Sequence, residues 1–298
     1  MRHAPAMLKE VMEYLNPRPN EHFIDCTLGD AGHAIETLKK TAPGGKVLAF
    51  ELDEKAIKDA QARLAENGLL GRVEIVNDNF RFLKKYAEKL PMIHGILADL
   101  GLRSGQLEAG GGGFSFQYDE PLDMRFGGQG KSAKEILNSY SIDELSRVFR
   151  EYGEERNHRH IAKAIAEVRR KKEIETTGEL AEIILSFYRQ KLRSRKGVPW
   201  TRGIHPATRV FQALRIEAND ELGALEQLLE DGVEILSSGG RIGIISYHSL
   251  EDRIVKRFYK TSPHLVVLTK KPIMASEEEA RSNRRSRSAK LRVALKFR

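Results

Sequence analysis

The chain has 298 residues, enough to bury the core of one large or two ordinary domains. Hydrophobic residues make up 40% and charged residues 31%, and no apolar run approaches the ~20 residues that span a bilayer. The net charge of +8 favours a polyanionic partner, and the single cysteine, Cys26, excludes an internal disulfide and a cysteine-rich zinc site.

The first residues carry no signal-peptide apolar core, so a cytoplasmic protein without a membrane partner is expected. Residues 5–15 place Met7, Leu8, Val11, Met12 and Leu15 on one face of a short amphipathic helix. Residues 22–34 run from the apolar His22-Phe23-Ile24-Asp25-Cys26 through Thr27-Leu28-Gly29-Asp30-Ala31-Gly32 into a helical pattern at His33-Ala34. Strand, glycine turn and helix form the first unit of a nucleotide-binding α/β fold, although a tight turn without a ligand is a competing reading of the loop alone. After Pro43-Gly44-Gly45, residues 46–52 form a second strand, apolar on both faces as buried parallel strands are. A helix over 53–66, a strand at 73–76, a helix over 80–90 and a strand at 93–100 follow. This alternation predicts a doubly wound, Rossmann-like parallel sheet.

The pattern breaks at Gly110 to Gly113, four consecutive glycines followed by Phe114-Ser115-Phe116. Over 133–140, 142–152, 155–172 and 177–191 the period is helical, and no buried strand intervenes. The α/β pattern resumes near Pro206 with one long helix running to Leu236, which Gly239-Gly240 ends. Residues 241–247 form a fifth strand, 250–259 a helix, and 265–268 and 291–295 two closing strands. Residues 277–288, acidic then basic, are expected to form a mobile loop. The expected domains are 1–109, the first part of a catalytic domain; 110–202, an inserted helical domain; and 203–298, the second part with a basic tail. Residues 281–298 and 189–202 carry arginines and lysines and no acid, which favours phosphate contacts.

Four features fall at the carboxyl ends of successive strands, where open α/β sheets bind ligands. The loop reads Gly29-x-x-Gly32 rather than a full dinucleotide fingerprint, which counts against a pyrophosphate. Glu51 ends strand two, where a carboxylate can accept both hydroxyls of a ribose or simply face solvent. Asn77-Asp78-Asn79-Phe80 follows strand three and can hold and stack an adenine, or be a turn with a core phenylalanine. Asp99 ends strand four, followed by Gln106, and can pair with an amine. Acids with few lysines around the glycine loop suit a cationic, adenosine-bearing ligand, and S-adenosylmethionine fits better than NAD.

Longer blocks then carry a resemblance. Asp25-x-Thr27-Leu28-Gly29-x-x-Gly32-His33, Asp99-Leu100-Gly101, Pro121-Leu122-Asp123-Met124-Arg125, Tyr152-Gly153-Glu154-Glu155-Arg156, Gly203-Ile204-His205-Pro206-Ala207-Thr208-Arg209, Ser246-Tyr247-His248-Ser249-Leu250-Glu251-Asp252-Arg253 and Arg287-Ser288-Ala289-Lys290-Leu291-Arg292 occur in order along almost the whole chain. The series resembles the bacterial 16S rRNA (cytosine-N(4))-methyltransferase family, MraW. The resemblance implies a class I S-adenosylmethionine-dependent methyltransferase fold with an inserted helical domain. It implies cofactor contacts from Ala31, Gly32, His33, Glu51, Phe80, Asp99 and Gln106, and methylation of a cytidine in the decoding region of 16S rRNA or of the small ribosomal subunit. Asp30-Ala31 departs from a Gly-Gly-His pattern, Glu51 replaces the usual Asp, Arg103-Ser104-Gly105 replaces a Ser-Ser-Pro pattern, and Tyr247 replaces the usual Phe.

Methylation of an exocyclic amine requires a hydrogen-bond acceptor rather than a strong base. Asp99, Ser246 and His248 are the candidates, with no metal; capping of the next helix is the competing reading of His248, and pairing with Arg253 or Lys256 that of Asp252. Methylation at cytosine C5 needs a cysteine nucleophile, and Cys26 lies inside a strand. The cytosine must be unstacked, and Phe114, Phe116, Trp200, Arg202, His205 and Arg209 are the expected platform and phosphate contacts. A methyltransferase acting on DNA or a small molecule and a non-catalytic RNA-binding protein are the alternative readings.

Overall fold

The computed structural model describes residues 5–107, 110, 112–193 and 205–297. Two compact units share the chain: Met1–Gly101 with Leu222–Arg298, and Leu102–Glu221. The first unit begins with α1 (Leu8–Leu15), β1 (Phe23–Asp25), α2 (Gly32–Lys40), β2 (Val47–Phe50), α3 (Glu54–Glu66), β3 (Val73–Val76), α4 (Leu83–Tyr86) and β4 (Gly95–Asp99). The second unit holds α5 (Ser104–Leu107), α6 (Ala133–Ser139), α7 (Ile142–Glu151), α8 (His158–Arg169), α9 (Thr177–Leu192) and α10 (Thr208–Asn219). The chain re-enters the first unit through α11 (Glu221–Ile235), then β5 (Arg241–Ser246), α12 (Ser249–Thr261), β6 (Leu265–Val267), β7 (Ile273–Met274), α13 (Glu277–Ser282) and β8 (Lys290–Lys296).

The sheet order is β3-β2-β1-β4-β5-β8-β6, with β7 also on β8. The strands from β3 to β5 pair in parallel, whereas β8 is antiparallel to β5, β6 and β7. The order reverses between β1 and β4, the switch point at which α/β sheets open a ligand crevice. Strand side chains alternate between two cores. Phe23, Val47, Ala49 and Leu97 pack with α1, α2 and α3 on one face; Ile24, Leu48, Phe50, Ile96 and Ala98 pack with α4, α11 and α12 on the other. Burial on both faces is why these strands read as continuous apolar runs. The first unit is therefore a Rossmann-like α/β fold.

Several elements differ from their sequence-based expectation for local reasons. The helix expected over 80–90 is three short turns, closed by i→i+3 bonds such as Phe82 N–H to Asn79 O and Leu90 N–H to Ala87 O. The single helix expected from about 206 to 236 breaks into α10 and α11 at Asp220, which takes φ 47°. Asp is among the few residues that visit the left-handed region readily, and the Asn219 side chain is held by Phe126 N–H and Met124 O. Residues 277–288 are not a mobile loop. Ser276 caps α13, three glutamates occupy its first turn at the positive helix end, and Glu279 accepts from Met7 N–H at 2.7 Å. The two-residue β7 is too short to leave a sequence pattern.

In the second unit, capping boxes at Ser132/Glu135, Ser141/Glu144 and Thr176/Glu179 start α6, α7 and α9. Its core gathers Leu137, Leu145, Phe149, Ile161, Ile165 and Leu180 with Val210, Phe211 and Leu214 of α10. Burial of these α10 residues carries the helical unit beyond the expected boundary at 202.

Candidate active site

Three carboxylates stand at the carboxyl ends of neighbouring strands: Asp25 on β1, Asp99 on β4 and Glu51 just past β2. Thr27 ties the first two ends together, because its Oγ1 accepts the Asp99 N–H at 2.7 Å while its own N–H donates to Asp25 Oδ1 at 3.1 Å. Cys26 is buried beside them in the core, and burial pushes its thiol up, so it offers no nucleophile. The glycine loop then turns at Gly29, whose φ of 48° a side chain would strain. Gly29 N–H donates to Glu51 Oε2 at 3.0 Å, and Leu52 and Asp53 N–H donate to Oε1 at 2.9 and 3.0 Å. Glu51 thus buttresses the loop. Asn77 donates to the Glu51 and Leu52 carbonyls, joining the β3 end to the same corner, and Phe80 packs half-buried on the core beside it.

Ala31 precedes α2 in the left-handed region, φ 57°, and is fully buried. The Asp30 carbonyl is held by Arg63 Nη1 at 2.7 Å. At Gly32 a Cβ would come within 2.9 Å of the Pro5 ring, so the N-terminal segment closes over the loop. His33, 6% exposed, has no hydrogen-bond partner at either ring nitrogen, and its Nε2 lies 4.0 Å from Asp99 Oδ2. Burial holds the His33 pKa below the ordinary histidine value, against the pull of Asp99, which keeps the ring neutral near pH 7.

Asp99 meets side chains from distant parts of the chain. Its Oδ1 accepts from the Tyr247 hydroxyl at 2.6 Å, and its Oδ2 lies 3.8 Å from Arg285 Nη2. Burial, then the charge of Asp99, pushes the Tyr247 phenol far up, so it remains a donor. Burial raises the Asp25 carboxyl to about 7; the Thr27 N–H opposes this, and Asp99 and Glu51 add to it.

The other sequence candidates have structural partners. Ser246, 1% exposed, donates to Lys290 O at 3.4 Å. His248 caps α12, its Nδ1 accepting Glu251 N–H, with its Nε2 3.2 Å from Glu251 Oε1. Asp252 pairs with Arg292 at 2.6 Å. Gln106, Phe114, Phe116, His205 and Arg209 belong to the second unit. There Gln106 Oε1 accepts Arg103 N–H at 2.8 Å, Phe114 stacks on Phe126, Phe116 stacks on His205 at 4.5 Å, and Arg209 donates to Glu154 O at 2.8 Å. Trp200 and Arg202 lie outside the described residues. Sequence reasoning did not find Arg285 at Asp99, since it lay within a basic run that suggested phosphate contacts. Tyr247 was visible only as a departure from the family pattern.

The group suits a cationic adenosine compound. Glu51 and Asp99 supply negative charge, the Gly29 backbone allows close approach, and the buried His33 ring nitrogens are polar atoms that a ligand can satisfy. The MraW methylase family model matches residues 1–297. A ribosomal RNA small subunit methyltransferase H from Clostridioides difficile (strain 630) is 42% identical, covering 99% of both chains. The protein of the same name from Carboxydothermus hydrogenoformans is 44% identical, over 99% of this chain and 98% of its own. A solved rRNA methylase from Streptococcus thermophilus aligns over 100% of each chain at 13% identity with a TM-score of 0.45. A match across the whole length, at this identity to full-length relatives, leaves one assignment: the chain belongs to the MraW methylase family of S-adenosylmethionine-dependent methyltransferases.

Proposed function

We propose that the enzyme methylates the exocyclic amino nitrogen of a cytidine in the decoding region of 16S rRNA. The observation that carries this reading is Asp99 at the switch point, an acceptor for an amine with a hydroxyl donor and a guanidinium fixed on it. The relatives named for the small-subunit RNA and the net charge of +8 support the polyanionic substrate. S-adenosylmethionine would supply an electrophilic methyl group, and Ala31, Gly32, His33, Glu51, Phe80 and Asp99 of the first unit would hold it. The cytosine amine is a weak nucleophile because its lone pair is delocalised into the ring. Accepting a hydrogen bond from that amine, Asp99 favours a pyramidal nitrogen, and alignment within contact distance does the rest. The nitrogen is cationic after transfer and gives up its proton readily, to the same carboxylate or to water. Ser246 and His248 hold β8 and the α12 N-terminus, so Asp99 carries the acceptor role. Trp200, Arg202, His205 and Arg209 are proposed to hold the RNA.

Mass mapping of methylated nucleosides in rRNA from cells lacking the protein tests this reading. The expected result is loss of one N4-methylcytidine in the decoding region, restored by the wild-type chain. Asp99→Asn is expected to lower kcat by about a hundredfold or more. An unchanged methylation map overturns the substrate assignment.

A further inference from the structure

We infer that Tyr247 and Arg285 are positioning residues for methyl transfer, together holding the Asp99 carboxylate in one orientation toward the substrate amine. The inference rests on the reading of Asp99 as the acceptor. A carboxylate at a strand end is free to rotate unless its oxygens are bound, and a rotating acceptor loses the alignment that transfer depends on.

Tyr247 binds one oxygen through a short, charge-assisted bond of 2.6 Å. Its ring lies over Gly101, where a Cβ would come within 2.5 Å of the ring carbons. The bare backbone after β4 is what lets the phenol reach the β4 carboxylate. A phenylalanine would occupy the same space and leave that oxygen without this donor.

Arg285 approaches the other oxygen at 3.8 Å, and its charge also acts on the Tyr247 phenol. A cation near the phenol oxygen polarises its O–H toward Asp99, so the two side chains reinforce one another. Arg285 does not arrive on a loose tail. Its N–H donates to the Asn283 side chain at 3.3 Å, and the neighbouring Arg287 Nε donates to Ala280 O at 2.9 Å. Glu279 accepts from both Met7 N–H and the Ser286 hydroxyl, fastening the turn to the N-terminal segment. His33 Nε2 lies 4.0 Å from Asp99 Oδ2 and has no hydrogen-bond partner.

The test uses the full-length chain and small-subunit RNA lacking the mark, with isotopic methyl transfer as readout. Tyr247→Phe and Arg285→Met are each expected to lower kcat about tenfold or more, with KM for RNA changed by less than about twofold. Arg285→Lys is expected to recover part of the loss, because it keeps the charge without the fork. On an Asp99→Asn background, Tyr247→Phe and Arg285→Met are expected to add less than about a further twofold, since both act through the same carboxylate. A merely structural role would instead lower residual activity and thermal midpoint on either background. If Asp99→Asn abolishes transfer while Tyr247→Phe and Arg285→Met leave kcat unchanged, or if their losses persist in full on the Asp99→Asn background, the positioning role is overturned and the acceptor reading survives. Full activity in Asp99→Asn itself overturns the acceptor reading beneath it.

Discussion

Asp25 shows how much one buried carboxyl can weigh on the whole chain. Its folded pKa is raised to about 7, so the native state holds a proton that the unfolded state releases near the ordinary value of 3.8. Its contribution to stability is complete at low pH and is lost as pH rises through about 7. In Asp25→Asn that loss is absent. Urea unfolding of both proteins from pH 5 to pH 7 is expected to show the difference moving in favour of the variant, by up to about 1.4 kcal/mol per pH unit. Ala31 poses the converse question. Its left-handed φ costs about 1–2 kcal/mol in an alanine, while Ala31→Gly gives up a buried methyl worth about 0.8 kcal/mol and frees the unfolded chain. These terms nearly cancel, so the denaturation midpoint is expected to move by less than about 1 kcal/mol in free energy, unlike an ordinary buried alanine. At this scale the sequence disclosed the residues that strand ends dictate. Glu51 and Asp99 follow from the alternation of strand and helix. Tyr247 on Asp99 does not, since the two are 148 positions apart and no local pattern encodes which side chain folds back.

Among elements, legibility followed burial. Strands β1, β2, β4 and β5 are sealed on both faces, and their apolar runs announced them. The breaks at Asp220 and in the turns over 80–90, and the order in α13, depend on single backbone conformations or on a distant partner such as Met7, which periodicity does not report. The centre of the sheet is also where packing is least forgiving. At Gly95, the first residue of β4, a Cβ would lie 2.1 Å from the Phe23 ring on the paired strand. Gly95→Ala is expected to destabilise the chain by about 1–3 kcal/mol in urea titrations. Gly71→Ala, with nothing within 4 Å of the added Cβ, is expected to be neutral and serves as its control.

For the molecule as a whole, the break in pattern at Gly110 to Gly113 led to an expected insertion over 110–202, whereas the second compact unit runs from Leu102 to Glu221. Residues 102–221 enclose a core of their own, built from α6 to α10 with three capping boxes. This segment, produced alone, is expected to give a helical circular dichroism spectrum and a single cooperative thermal transition. No helix among the described residues is long and apolar enough to cross a membrane. In the other unit, the antiparallel insertion of β8 between β5 and β6 has a consequence for biogenesis. The fifth strand is made some fifty residues before the partner it needs, so the nascent sheet carries an open, apolar hydrogen-bonding edge until Lys290–Lys296 arrives. A chain cut short of Lys290 would keep that edge, and its fate is self-association rather than mere loss of activity.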